Sequence, residues 1–102
     1  MSSFYERLSP TALAVLDTTN YYGQGAIITR INVPAAFRGR GIGSALLRRA
    51  IAHADEHQTT LFLEISPSDG LGFDELEAWY RRYGFCGHSI SVLRRKPNGG
   101  AR

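Results

Sequence analysis

Residues 26–47, AIITRINVPAAFRGRGIGSALL, decide the fold of this chain. Residues 26–33 contain four β-branched apolar residues and are followed by Pro34, which predicts a strand that ends there. From Ile42 to about His57 the apolar residues recur with the period of an amphipathic helix. Between strand and helix lies a turn with three glycines, at positions 39, 41 and 43.

Two further strands are predicted before this segment, at residues 4–8 and 11–16, with a turn at Ser9-Pro10. Residues 18–23 are rich in turn formers and are expected to close a second hairpin.

After the helix, residues 59–65 (TTLFLEI) predict a buried strand and residues 66–72 a loop. Asp74 fits a helix N-cap with Glu77 completing a capping box, and this second helix is expected to run to Tyr83 and stop at Gly84. Residues 85–96 predict one or two closing strands.

The predicted order is therefore β-β-β-α-β-α-β, a single compact α/β domain over residues 1–96 with a disordered basic tail at 97–102. The strand–helix–strand unit at residues 26–65 should form a right-handed parallel crossover. The remaining strands are short and joined by turns, so we expect a mixed, mostly antiparallel sheet with two helices.

Composition excludes several classes of protein. The net charge of +3 and a pI near 9.4 are modest, and eleven of the twelve cations are arginine, which suits phosphate oxygens. The single cysteine, Cys86, allows no internal disulfide or cysteine metal cage. No apolar leader or stretch of 18 apolar residues occurs, so a cytoplasmic protein without a membrane partner is expected.

The glycine turn has the chemistry of an anion site. Glycines let backbone N–H groups approach a ligand closely, and the helix beginning near Ile42 leaves its first N–H groups without helical partners. The positive end of the helix dipole lies at the same place. A pyrophosphate is the natural guest, with Arg38 and Arg40 adding charge at the rim.

Two other phosphate loops fit less well. A P-loop requires a lysine after a glycine, and no glycine here is followed by one. The dinucleotide fingerprint Gly-x-Gly-x-x-Gly lacks its third glycine in both registers, where Ser44 and Leu46 stand instead. A doubly wound sheet would also need more parallel strands than the chain provides.

Two segments resemble the GNAT acetyltransferase family. Residues 37–47, FRGRGIGSALL, are similar to its acetyl-CoA signature Arg/Gln-x-x-Gly-x-Gly/Ala, and Val33 precedes the arginine by five residues. Residues 79–85, WYRRYGF, resemble the family's tyrosine four residues before Gly-Phe. The likeness covers residues 26–85, and small proteins that resemble this one occur in bacteria and phages.

The resemblance implies acetyl transfer from acetyl-CoA to an amine by direct attack in a ternary complex, without a metal. The strand end at Ile31 to Val33 would splay from residues 61–65 to admit pantetheine, and Tyr80 would protonate the departing thiolate. Tyr83 is expected to be structural and Trp79 to lie in the core. The implied cofactor-binding residues are Ile31, Asn32, Val33, Arg38, Gly39, Arg40, Gly41, Ile42, Gly43 and Ser44.

The chain departs from the family at two points. The strand before the glycine turn offers Thr29, Arg30 and Asn32 but no acid, so Glu64 on the next strand is the candidate base. About 25 residues precede that strand, too few for the usual N-terminal helices, so an open acceptor side is expected. This suits a lysine or N-terminal amine on a protein, or a partner that completes the site of a monomer or homodimer.

Two alternatives to an enzyme stay open. A non-catalytic CoA-binding sensor or inhibitor would keep the glycine turn but act by docking a partner. A small basic nucleic-acid-binding module is disfavoured because no aromatic residues interleave with Arg94, Arg95 and Lys96. Residues 53–57 match His-x-x-Glu-His, but without a third ligand they indicate a solvated helix end. Cys86 is expected to be a small core residue.

Overall fold

A computed structural model describes residues 2–65, 72–89 and 91–97. Within these ranges the chain forms a mixed sheet of six strands, one short 3₁₀ turn at Ala35–Phe37 and two α-helices, α1 at Ile42–Glu56 and α2 at Phe73–Arg81. The strands are β1 (Ser2–Ser9), β2 (Ala12–Asn20), β3 (Ala26–Asn32), β4 (Leu61–Glu64), β5 (Cys86–Gly87) and β6 (Val92–Arg95).

The strand order is β1-β2-β3-β4-β6-β5, and every neighbouring pair is antiparallel except β3 and β4. The parallel pair is the one that α1 connects, as a crossover requires. The predicted mixed, mostly antiparallel α/β architecture with two helices is therefore confirmed, and the closing segment forms two strands.

Both helices pack on one face of the sheet. Leu46, Leu47, Ala50 and Ala54 of α1 share a buried cluster with alternate residues of the strands. Half-buried side chains of α2 pack against the same cluster, among them Trp79 and Tyr80, and so does Tyr83 just after the helix. We call this the helix face of the sheet and the opposite side the outer face.

A β-bulge in β3 controls where the parallel pair separates. Thr18 pairs with Ile28 but Asp17 pairs with Arg30, so Thr29 is an extra residue in β3, and its hydroxyl donates to the Asp17 carbonyl at 3.2 Å. Pairing between β3 and β4 ends at Ile28 opposite Leu63. The rest of β3 therefore diverges from β4, which is the splay that the family resemblance implied.

Several boundaries differ from the sequence predictions. β2 continues to Asn20 because Thr18 is buried in the sheet, so the predicted turn at 18–23 shifts to the residues after it, where the Tyr21 N–H donates to the Gly25 carbonyl at 2.9 Å. The predicted loop at 66–72 lies, apart from Gly72, outside the described residues, as does the predicted tail beyond Pro97.

The second helix begins two residues earlier than expected. Gly72, not Asp74, is the N-cap, since its N–H donates to the Glu75 carboxylate at 3.0 Å and its carbonyl accepts from the Leu76 N–H at 3.1 Å. Asp74 and Glu75 lie in the first turn of α2, where their negative charges interact favourably with the positive end of the helix dipole. The helix ends at Arg81, and Gly84 takes the predicted left-handed conformation with φ of +94°.

On the last two strands, a cysteine is exposed and an arginine is buried. Cys86 is exposed because it lies on the two-residue edge strand β5, so its assignment to the core was wrong. Arg95 is a buried cation, only 7% exposed, and its Nε donates to the Tyr83 carbonyl at 2.8 Å.

Candidate active site

The glycine turn leads into α1 through two left-handed residues. Gly39 and Gly41 have φ of +79° and +77°, which other L-residues adopt only at a cost. Gly41 is the N-cap of α1, and the first helical bond runs from the Ala45 N–H to the Gly41 carbonyl at 3.0 Å. The N–H groups of Ile42, Gly43 and Ser44 therefore precede the hydrogen-bond ladder of the helix and lie at its positive end.

The two arginines of the turn are placed differently. Arg38 Nε donates to the Val33 carbonyl at 2.9 Å, which ties the turn to the end of the preceding strand. The guanidinium of Arg40 lies 5.4 Å from the centre of the Phe37 ring, in a cation–π arrangement. Both side chains are exposed at the rim, where phosphate oxygens could reach them.

The glycine turn, together with Arg38 but not Arg40, lines a hollow of about 190 Å³, which we call the phosphate groove. Its wall includes Trp79 of α2, so the two helices face each other across it. A Cβ on Gly39 or Gly41 would meet no protein atom within 4 Å, so space beside the turn is open for a ligand. The residues that line the phosphate groove are Val33, Phe37, Arg38, Gly39, Gly41, Ile42, Gly43, Ser44 and Trp79.

A second hollow of about 270 Å³ lies where β3 leaves β4, and we call it the reaction groove. Residues from both faces of the sheet line it. Tyr80 and Leu76 enter from the helix face, whereas Arg30 and Glu64 belong to the outer face, as their pairing partners Asp17 and Val92 do. The groove thus joins the two faces at the splay, and its other lining residues are Ile28, Thr29, Ile31 and Leu63.

Tyr80 brings a phenol to the wall of the reaction groove. Burial raises the pKa of its phenol above the ordinary value of 10.0, because the phenolate would lose solvation. Its ring packs edge-on against Phe85 and Trp79, with centroid distances of 5.9 Å and 4.9 Å. The phenol is therefore held in place and protonated at neutral pH.

Glu64 ends β4 at the outer side of the groove, and its carboxylate accepts a hydrogen bond of 3.3 Å from the Ser91 hydroxyl. The Glu64 side chain is exposed, so its carboxylate is accessible from solvent. Arg30, the cation on the opposite wall, is held by Asp17 at 2.9 Å. That ion pair turns the Arg30 charge toward β2 and away from Glu64.

The sequence-predicted site residues thus fall into two adjacent hollows. Tyr80, Glu64 and Ile31 lie at the reaction groove. The predicted residues at the phosphate groove are Val33, Arg38, Gly39, Gly41, Ile42, Gly43 and Ser44, whereas Arg40 lines neither hollow. Asn32 lines neither hollow and faces outward, since it pairs with Val15 on the outer face. The sequence analysis did not identify three residues that line the grooves, namely Phe37, Leu76 and Trp79. Their positions become evident only when α2 packs beside the glycine turn.

No cluster of three or more potential metal ligands occurs among the residues that the structure describes. His53 and His57 stack at 4.2 Å between ring centroids, and both are exposed, as expected for a solvated helix end.

The mixed six-stranded sheet with its two helices is the fold of the acyl-CoA N-acyltransferases. A family model described as an acetyltransferase (GNAT) domain matches residues 11–86, so the chain belongs to the GNAT family of acetyltransferases. A search among curated proteins finds no match.

Solved structures share the fold at low identity. An acyl-CoA N-acyltransferase from Pseudomonas aeruginosa is 24% identical with a TM-score of 0.71, over 86% of this chain and 64% of that one. The anti-CRISPR protein AcrVA5 is 19% identical with a TM-score of 0.63, over 92% and 98%. PaiA N-acetyltransferase from Thermoplasma acidophilum, in complex with coenzyme A, is 17% identical with a TM-score of 0.58, over 82% and 52%.

Within the described residues, neither helix has the length and apolar character needed to cross a membrane.

Proposed function

We propose that this protein is an N-acetyltransferase that moves an acetyl group from acetyl-CoA to an amine by direct attack. The observation that carries the proposal is the reaction groove, which joins the two faces of the sheet beside the phosphate groove and has Tyr80 at one side and Glu64 at the other. Donor and acceptor can therefore meet from opposite faces.

The diphosphate of acetyl-CoA fits the phosphate groove. Its negative charge would accept from the N–H groups of Ile42, Gly43 and Ser44, at the positive end of α1. Arg40 and Arg38 add charge at the rim, and Arg38 also holds the turn against Val33. From there pantetheine would extend along Ile31, Asn32 and Val33 toward the splay, where strand backbone polarises the thioester carbonyl.

The chemical step forms a C–N bond and breaks a C–S bond. The amine nitrogen attacks the thioester carbonyl carbon, and the electron pair of the C–S bond leaves with sulfur. Tyr80 donates its phenolic proton to that sulfur, which gives free CoA thiol. Its raised pKa suits this role, because the phenol stays protonated at the pH where the amine reacts.

The acceptor must also lose a proton, since an alkyl ammonium has a pKa near 10. Glu64 is the acid on the strand that faces the splay, and its exposed carboxylate can attract the ammonium and take its proton directly or through water. An acceptor amine on a protein, a bacterial or phage origin and a cytoplasmic location stay predictions from the sequence.

The first experiment compares thermal stability with acetyl-CoA, CoA and NAD. A ligand at 100 times its dissociation constant stabilises the folded state by about 2.7 kcal/mol, which raises the melting temperature of a domain this small by about 10 °C. We expect the shift with acetyl-CoA and CoA but not with NAD. Release of CoA thiol on adding an amine then separates an enzyme from a non-catalytic CoA binder.

Two results would count against the proposal. Absence of any shift with acetyl-CoA and CoA would remove the donor assignment. Binding of DNA or RNA that weakens steeply with salt, with no response to CoA, would favour the nucleic-acid module instead.

A further inference from the structure

The β-bulge at Thr29 changes which side chains of β3 face outward. In a regular strand alternate residues share a face, so Arg30 would follow Ile28 to the helix face. Because the bulge adds one residue, Ile28 and Ile31 both pack with the buried cluster instead. Arg30 is thereby left on the outer face, opposite Asp17 of β2. The bulge thus places a cation at the wall of the reaction groove.

Asp17 holds both residues of the bulge. Its carbonyl accepts from the Thr29 hydroxyl at 3.2 Å. Its Oδ2 accepts from Nε of Arg30 at 3.0 Å and lies 2.9 Å from Nη2 of the same guanidinium. Main chain and side chain of one residue on β2 therefore act on the same point of β3.

A serine on β1 fixes the other carboxylate oxygen of Asp17. Ser3 pairs with Asp17 in the sheet, and its hydroxyl donates to Oδ1 at 2.7 Å. The carboxylate is thus held from β1 and from β3, which restricts its rotation. The Asp17 side chain is 23% exposed, whereas that of Arg30 is 59% exposed. Asp17 is therefore the fixed half of the ion pair, and Arg30 is the half that has room to move.

Glu64 is the acid that lines the same groove as Arg30. Its carboxylate accepts from the Ser91 hydroxyl, and it forms no ion pair within the part of the chain that the structure describes. A guanidinium released from Asp17 would be attracted to this carboxylate and would compete for it with the ammonium of an acceptor. The same guanidinium would also repel the ammonium directly.

We propose that Asp17 is a positioning residue of the acetyl-transfer site. By holding Arg30 against β2, it keeps Glu64 free to receive the ammonium of the acceptor. The inference rests on the proposed function and concerns the charge of that same site. Asp17 lines neither the reaction groove nor the phosphate groove, so it acts through Arg30.

The test begins with Asp17→Asn, which keeps the shape of the side chain but removes the charge that holds Arg30. With n-butylamine and saturating acetyl-CoA, we expect the KM for the amine to rise about fivefold, a factor typical of an exposed ion pair. The kcat should stay within about twofold of the wild type. The rise in KM should shrink at high salt, because ions screen exposed charges.

Arg30→Gln in the Asp17→Asn background is the decisive comparison. The double variant has no released cation, so its KM should return to within about twofold of the wild-type value. If Asp17 served only the structure of the strands, the double variant would be at least as impaired as the single one, because both contacts of the bulge with the carboxylate would still be missing.

Glu6→Gln is the matched control. Glu6 is an acid on β1 that lies 3.7 Å from Arg49 and lines neither groove. This variant loses the same charge and an exposed ion pair elsewhere on the sheet, so its KM should equal that of the wild type. Affinity for CoA, which should not change in any of these variants, shows that they fold.

Ser3→Ala tests the same role without removing a charge. It deletes the hydrogen bond to Oδ1 and should raise the KM in the same direction by a smaller factor, about twofold. This variant also provides the measurement if Asp17→Asn does not fold, and an unchanged KM in it would then count against the proposal.

An unchanged KM in folded Asp17→Asn, or a raised KM that Arg30→Gln does not relieve, would overturn the positioning role while leaving the acetyltransferase assignment in place. If the wild type binds acetyl-CoA but acetylates no amine, the proposed function fails and the positioning role fails with it.

Discussion

Arg95 and Asp55 form a two-pronged ion pair that joins β6 to the last turn of α1. Nη1 lies 2.8 Å from Oδ1 and Nη2 lies 3.3 Å from Oδ2, and the Arg95 side chain is only 8% exposed. The Nε of the same guanidinium binds the Tyr83 carbonyl just beyond α2. One side chain therefore fixes the ends of both helices, whose other parts form the phosphate and reaction grooves.

Replacing Arg95 with Met should destabilise the protein by about 2–4 kcal/mol, because it leaves the Asp55 carboxylate and the Tyr83 carbonyl without the buried guanidinium. Equilibrium unfolding in urea measures the loss. Arg48→Met is the control, since Arg48 is exposed on α1, and its effect should stay within about 0.5 kcal/mol. Equal stability of the two variants would show that the ion pair contributes little.

The sequence alone could not distinguish Arg95 from the other ten arginines of the chain. The identity of a residue does not show whether it is exposed or buried. Because side chains alternate along β6, Arg95 points to the helix face, whereas Arg94 points to the outer face with its partner Phe62. Cys86 was misplaced for a similar reason, since a two-residue edge strand leaves no second neighbour to bury it.

The glycine turn and the helix after it were predictable because local chemistry determines both. Three glycines before an apolar stripe of period 3.6 allow few other structures. The bulge at Thr29 was not predictable, because it depends on the hydrogen-bond register between β3 and β2. The splay could be expected only from the family resemblance, and the bulge supplies its physical cause.

Substituting Gly41 with Ala should weaken CoA binding by more than tenfold. The added methyl forces a left-handed φ of +77° on a residue with a Cβ, and it projects into the open space beside the N–H groups of α1. Isothermal titration with CoA measures the affinity.

Gly23→Ala provides a closely matched comparison for this variant. Gly23 has φ of +75° and, like Gly41, open space around its missing Cβ, but it lies in the β2–β3 turn. Both variants should lose about 1–2 kcal/mol of stability from backbone strain. Only Gly41→Ala should lose affinity for CoA, and a similar loss in both would argue that the turn acts through stability alone.

Trp79 should report on CoA binding through its fluorescence. It is the single tryptophan of the chain and lines the phosphate groove opposite the glycine turn. A ligand in this groove changes the polarity around the indole, so titration with CoA should change its emission. The change should saturate at the affinity measured by calorimetry and require more than tenfold higher CoA concentration in Gly41→Ala. Unchanged emission at saturating CoA would place the ligand away from Trp79.

Tyr80→Phe should lower kcat about 100-fold, because it removes the general acid that protonates the departing CoA thiolate. The loss is modest because a thiolate can also leave without protonation. The affinity for acetyl-CoA should change little, because the phenyl ring keeps its packing against Phe85. Tyr83→Phe, three residues along the same chain segment and packed on the core, should keep nearly full activity. Steady-state kinetics with n-butylamine and acetyl-CoA separates kcat from KM.

The pH dependence of kcat distinguishes an acid at Tyr80 from a residue that only packs. Because burial raises the pKa of the phenol above 10.0, a loss of rate from its ionisation should have its midpoint above pH 10. In Tyr80→Phe this alkaline fall should vanish, while the rise of rate with pH that reports deprotonation of the amine should remain. A fall centred below pH 9, or one that persists in Tyr80→Phe, would assign the proton donor to another group.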